Sequence, residues 1–156
     1  NEILNQKAGG IVHNAFGLGQ PLPLDSTGRW ASIDPLTYAS VGYPDIHVIG
    51  DAAIAGAMPK SAFAANAQGK VCADAVIDLL AGRAPAAPKL INTCYSLVAP
   101  DYGISIVGVY RVEKGQLQEI PGSGGTSPLE ASRNLRRDEA LFDEGWFNSV
   151  TDETFG

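Results

Sequence analysis

Ile46-His47-Val48-Ile49-Gly50-Asp51-Ala52 decides the reading of this chain: a compact apolar run stopped by glycine and aspartate. A run of that length bounded by a turn signal predicts a buried parallel strand. After a loop with Gly56 and Pro59, the residues from Ser61 to about Leu80 carry many alanines and no proline, and Gly82 closes them; this composition predicts a helix. In open α/β sheets, ligands gather at the C-terminal ends of strands, where Gly50 and Asp51 fall. Glycine lets the backbone approach closely, Asp51 offers acceptors for sugar hydroxyls, and the next helix aims its N–H groups and positive dipole end at the same place. Asp51 as a simple turn cap satisfies the same residues, so Gly-Asp alone does not choose between the two roles. Ala62, Ala65, Gly69 and Ala73 recur at helical spacing, a stripe that lets the helix backbone come near a strand or a flat ligand.

Upstream, residues 1–20 read as short helical or irregular chain broken by glycines, Pro21-Leu22-Pro23 as a connector, and Trp30 to Ile33 as a short strand ending at Asp34-Pro35. Downstream, the proline-rich stretch from Pro85 to Lys89 marks a boundary. Beyond it the spacing predicts strands over 91–98 and 104–112, a turn over 113–115 and a returning strand over 116–120. A glycine-rich loop from Pro121 to Pro128 leads into a helix expected over 128–147, with Leu135, Phe142 and Trp146 as apolar markers. The expected fold class is α/β plus α+β: residues 1–82 form a segment of a ligand-binding α/β domain, and 85–156 an α+β domain.

The 156 residues are 45% hydrophobic and 18% charged, a globular profile long enough to bury a core. The formal net charge of −6 and the absence of clustered Lys and Arg exclude a nucleic-acid surface. Arg133, Arg136 and Arg137 lie among Glu130, Asp138 and Glu139 and read as a solvated, ion-paired helix face. No apolar run approaches a membrane span, and nothing at the start resembles a signal peptide. Cys72 and Cys94 show no zinc spacing and no CxxC pattern, so no metal is expected. Cys72, within the alanine-rich helix, reads as core. On the strand after Pro88, Asn92, Cys94 and Ser96 share one face and Ile91, Thr93, Tyr95 and Leu97 the other, so Cys94 lies off the more apolar side. Spacing leaves a Cys72–Cys94 disulfide open. His13 and His47 have no ligand-spaced partner and read as structural.

The string from Tyr43 to Lys70 resembles the second FAD-binding motif of the flavoprotein disulfide reductase superfamily. Its wording at Met58-Pro59-Lys60-Ser61, with Asn92-Thr93-Cys94-Tyr95-Ser96, Tyr102-Gly103-Ile104-Ser105 and Asp152-Glu153-Thr154-Phe155-Gly156, resembles the flavin subunit of flavocytochrome c sulfide dehydrogenase, from about Trp30 to the last residue. The resemblance implies the C-terminal half of a protein with two dinucleotide-binding domains. It implies that Gly50 and Asp51 meet the ribityl chain of FAD, and that Lys60, Ser61 and the helix start sit by the flavin pyrimidine. There a cation or N–H groups stabilise the charge of reduction. Lys60 as a solvated lysine is the plainer alternative. Trp146 is a core aromatic by residue type, and the resemblance places it near the flavin. The resemblance also implies that Cys94 pairs with an upstream cysteine as a redox-active disulfide attacked by sulfide, with electrons leaving to haem c in a cytochrome c subunit, in a periplasm. The fingerprint Gly-x-Gly-x-x-Gly after a strand is absent from these residues, so the chain alone is expected to hold FAD poorly and to be inactive. Sulfide:quinone oxidoreductase and type II NADH dehydrogenase share the Gly-Asp motif and stand second. A non-catalytic fragment or interaction module is the reading of another class.

Overall fold

The computed structural model describes residues 22–156, so the segment 1–20 and His13 lie outside the described residues. The elements run β1 (Ala31–Ser32), β2 (Ala39–Ser40), β3 (Tyr43–His47), a 3-10 turn (Gly50–Ala52), β4 (Ala53–Ile54), α1 (Ala62–Leu80), β5 (Lys89–Ala99), β6 (Tyr102–Glu113), β7 (Gln116–Glu119), β8 (Gly125–Thr126) and α2 (Arg133–Phe155). Helix and sheet are both present in quantity, as the mixed class requires.

Local chemistry accounts for the boundaries of α1. Ser61 is its N-cap, its hydroxyl accepting the N–H of Ala64 at 3.0 Å. At the other end Gly82 takes φ +68, and the N–H groups of Gly82 and Arg83 return to the carbonyls of Leu79 and Asp78, a Schellman closure. The β6–β7 hairpin turns through Lys114 (φ 51) and Gly115 (φ 75), both left-handed, as a two-residue turn matched to strand twist demands.

β5 and β6 pair antiparallel from Lys89↔Arg111 to Ala99↔Tyr102, and β7 and β8 both pair with β6. Strand alternation then splits the sheet into two faces. One carries Leu90, Asn92 and Cys94 and packs toward α1. Leu90, Tyr110 and Leu117 join Ala64, Tyr38, Ala55 and Met58 in one apolar core, with Val71 and Cys72 against it. This core therefore crosses the proline-rich boundary from Pro85 to Lys89. The other face carries Tyr95, Gly103 and Ser105 and meets α2. There a Cβ on Gly103 would come within 2.5 Å of the Ala140 nitrogen, so glycine is what lets helix and strand touch.

Four expectations are corrected. The strand read at Ile46 to Ile49 as buried and parallel is Tyr43–His47, antiparallel to β2, with no residue buried. Its ladder neighbour among the described residues, β2, is two residues long, and the parallel pairing here is β1 with β4. Helix α2 begins at Arg133 rather than near Pro128, because Ser132 caps it at the Leu135 N–H, and it continues past Phe147 to Phe155. The glycine-rich loop contributes the short strand β8. Arg136 is not solvated: it is 4% exposed, pairs with Glu139 at 3.4 Å and lies 5.0 Å over the Tyr102 ring.

Candidate functional site at the start of helix α1

Gly50 sits at φ +65, a conformation that favours glycine, and a Cβ there would stand 3.3 Å from Ala65 Cβ. Its N–H donates to Gln68 Oε1 at 2.8 Å, a buried amide one turn along the helix from Ala64. Ile49 Cδ1 would lie 3.5 Å from a Cβ on Gly69. Ala65 and Gly69, half of the small-residue stripe, thus let the helix close onto the Gly-Asp turn.

The Asp51 side chain is exposed beside this turn. Lys60 Nζ donates to the carbonyls of Asp51 at 2.8 Å and Ala53 at 2.6 Å, and stands 4.7 Å over the Trp30 ring. Partial burial pulls the Lys60 pKa down, while the carboxylates of Asp51 and Asp25 pull the other way. Its ammonium therefore clasps the turn on which Asp51 is carried. Gly50, Asp51, Lys60, Ser61, Ala64 and Gln68 line a narrow crevice of about 20 Å³, room for one water.

From Ser61 the site continues into the sheet. The Ser61 hydroxyl donates to Asn92 Oδ1 at 2.5 Å, and Asn92 Nδ2 donates to Cys94 Sγ at 3.2 Å. Asn92 is 1% exposed, whereas Cys94 is half-buried and a free thiol. Opposite Asn92 in the ladder is Gly108, and the Tyr110 hydroxyl fills the space over it: a Cβ there would stand 2.7 Å from that oxygen. Burial raises the Tyr110 pKa, with smaller contributions from Glu119 and Cys94. Cys72 is also a free thiol, against the core, with its pKa raised by burial.

Gly50, Asp51, Lys60 and Ser61 thus share one crevice, and Cys94 is joined to it through Asn92. Trp146 does not line it. Its ring stacks on Phe63 at 5.4 Å and lies 6.4 Å from Tyr95, bordering a wider groove of about 410 Å³ with Lys70 and Glu153. Phe63 belongs to the first turn of α1, so the aromatic pair flanks the same helix start from the α2 side. His47 Nδ1 contacts the Thr37 carbonyl at 2.8 Å, which requires a proton on that nitrogen and gives the ring a structural partner. Asn92 was not singled out from the sequence as a site residue; the signal available was a polar residue in register between Leu90 and Cys94.

A left-handed glycine, an exposed carboxylate and the free N–H groups of a helix start fit hydroxyl donors and carbonyl acceptors of the kind FAD carries. The described residues supply one wall for such a group, since the crevice itself admits no ring.

Residues 86–155 match the family described as flavocytochrome c sulphide dehydrogenase, flavin-binding. This match agrees with the resemblance read from Cys94 and its neighbours, and it supports a flavoprotein role with FAD in the complete protein. The matched residues span β5 to α2 and include Asn92, Cys94 and Trp146; Gly50, Asp51, Lys60 and Ser61 precede them. Among the described residues no helix is long and apolar enough to cross a membrane, and no group of three or more His, Cys, Asp or Glu is placed to hold a metal ion.

Proposed function

We propose that this chain is the C-terminal part of a flavoprotein that oxidises sulfide through a redox-active disulfide at Cys94 and passes the electrons to a cytochrome c subunit in a periplasm. The observation that carries this reading is the hydrogen-bonded run from the Gly50-Asp51 crevice through Ser61 and Asn92 to the Cys94 sulfur, within the fold whose C-terminal domain matches that family. Asp51 would accept hydrogen bonds from the ribityl hydroxyls of FAD, Ser61 and the first N–H groups of α1 would serve its pyrimidine, Lys60 fixes the turn that carries Asp51, and Trp146 would screen the site from the α2 side. FAD supplies two-electron acceptance and stepwise release toward haem c.

Hydrosulfide attacks the disulfide between Cys94 and an upstream cysteine. A new sulfur–sulfur bond gives a persulfide, the old one breaks, and the released thiolate carries the electron pair onward. These 156 residues alone hold FAD weakly and turn over nothing, because they contain no pyrophosphate-binding fingerprint. The test is flavin absorbance. The purified chain is expected to be colourless, and a form completed by its N-terminal half to be yellow and bleached by sulfide, with bleaching abolished in Cys94→Ser. Bleaching that survives Cys94→Ser sinks the assignment.

A further inference from the structure

Asn92 is a fully buried polar residue on a strand whose neighbours on the same face are Leu90 and the half-buried Cys94. A buried amide is costly unless its groups are partnered, and here the partners fix its orientation. The Ser61 oxygen already accepts the Ala64 N–H at 3.0 Å, so its own proton needs an acceptor, and Asn92 Oδ1 lies 2.5 Å away. The amide oxygen is then committed to Ser61, which turns Nδ2 toward the Cys94 sulfur at 3.2 Å. The reversed amide would leave the Ser61 proton without that acceptor. The direction of the whole chain of donors is therefore imposed by the N-terminus of α1, where the backbone N–H groups have no carbonyl of their own.

We propose that Asn92 is a positioning residue for Cys94: its amide, held by Ser61, presents an N–H to the sulfur and supports the negative charge that develops there when the sulfur attacks or leaves. Aligned donors ending at a helix N-terminus polarise one another, and an N–H aimed where charge builds needs no rearrangement during reaction. The inference rests on the assignment of Cys94 as the redox cysteine, and it adds the group that holds that sulfur.

The test uses alkylation of the full chain by iodoacetamide at one pH, with the rates at Cys94 and Cys72 resolved by peptide mass spectrometry. Cys72 reports on folding, since it packs against the core and takes part in none of the hydrogen bonds between Ser61, Asn92 and Cys94. Asn92→Leu is expected to slow Cys94 about tenfold, the scale of losing a hydrogen bond to a charged group, with Cys72 unchanged. Ser61→Ala, which frees the amide to turn, is expected to slow Cys94 about threefold, and Ser61→Thr, which keeps the hydroxyl, to stay within about twofold of the parent. A merely structural Asn92 would not make the two Ser61 variants differ.

The inference is overturned if Cys94 in Asn92→Leu reacts at the parent rate or faster while Cys72 is unchanged, or if Ser61→Thr slows Cys94 as much as Ser61→Ala. If Asn92→Leu accelerates both cysteines together, that variant has lost its fold, and the Ser61 pair decides alone. Alkylation requires no flavin, so a failed sulfide-bleaching experiment removes the function and leaves this relation standing, and the converse failure is equally visible.

Discussion

The residues before α1 and the sheet after it are held together by different physics. From Leu22 to Pro59 the strands are two to five residues long, and the chain is fixed mainly by single hydrogen bonds: Asp25 to the N–H groups of Arg29 and Trp30, His47 to Thr37, Gln68 to Gly50, Lys60 to Asp51 and Ala53. From Lys89 onward a continuous ladder of β5 and β6, a helix laid across it and a buried ion pair do the work. The candidate site sits at the seam, so its crevice side depends on individual polar contacts while its sulfur side rides on a rigid sheet. This contrast can be broken or sharpened by substitution.

The largest effect is expected on the sheet side. Glu139 accepts from the hydroxyls of the half-buried Ser105 and Ser127 and pairs with Arg136, the two charged side chains both being buried. Glu139→Ala leaves the buried Arg136 guanidinium without its carboxylate, with only the Pro128 and Leu129 carbonyls as acceptors, and should cost about 3–5 kcal/mol in urea unfolding. A loss below about 1 kcal/mol would show that the network is not closed to water.

Gly103→Ala comes next, because the added carbon meets helix backbone at 2.5–2.6 Å rather than a flexible side chain. It is expected to lower stability by about 1–3 kcal/mol by forcing α2 off β6. Unchanged thermal unfolding would place the α2 contact elsewhere.

On the seam's other side, Lys60→Met removes both the clasp on the turn and the ammonium over Trp30 while keeping an unbranched side chain. About 1 kcal/mol is expected, read in urea, with hydrogen exchange at residues 50–54 rising more than exchange in β5 and β6. Equal rises in both regions would erase the distinction drawn here.

The smallest effect is expected at Lys70 and Glu153, an exposed pair at 2.9 Å joining α1 to the end of α2. Its hydrogen bonds to Lys70 and Asn66 hold the Glu153 pKa below the usual 4.5. A folded pKa below the unfolded one contributes stability that is present above about pH 4.5 and disappears as the pH falls through the lower folded value. A double-mutant cycle with Lys70→Ala and Glu153→Ala should give a small coupling above that window and none below it or at high salt. A coupling that survives acid would refute the pairing.

Helix α1 was legible because each of its signals is local: many alanines, no proline, and a glycine able to turn left-handed after the last turn. The β6–β7 hairpin was legible for the same reason. The strand before Gly50 misled because an apolar run is equally compatible with a covered parallel strand and an exposed antiparallel one; neighbours distant in sequence decide. Arg136 misled because flanking acids look alike whether a helix face is wet or pressed onto Tyr102. Of the candidate site, Gly50, Asp51, Lys60, Ser61 and Cys94 stand out in the sequence by type and motif, whereas Asn92 does not.

By itself, the sequence determined the elements whose causes lie within a few residues, the cap, the turns and the alternation that puts Asn92 and Cys94 on one face, together with the family likeness that residues 86–155 bear out. Tertiary structure alone decided which polar groups meet. Ser61 and Asn92 stand far apart along the chain, and the direction of the donors between them is set when helix α1 lays its N-terminus against β5. Local propensity carries no information about such a meeting, because its energy exists only once both surfaces are buried together.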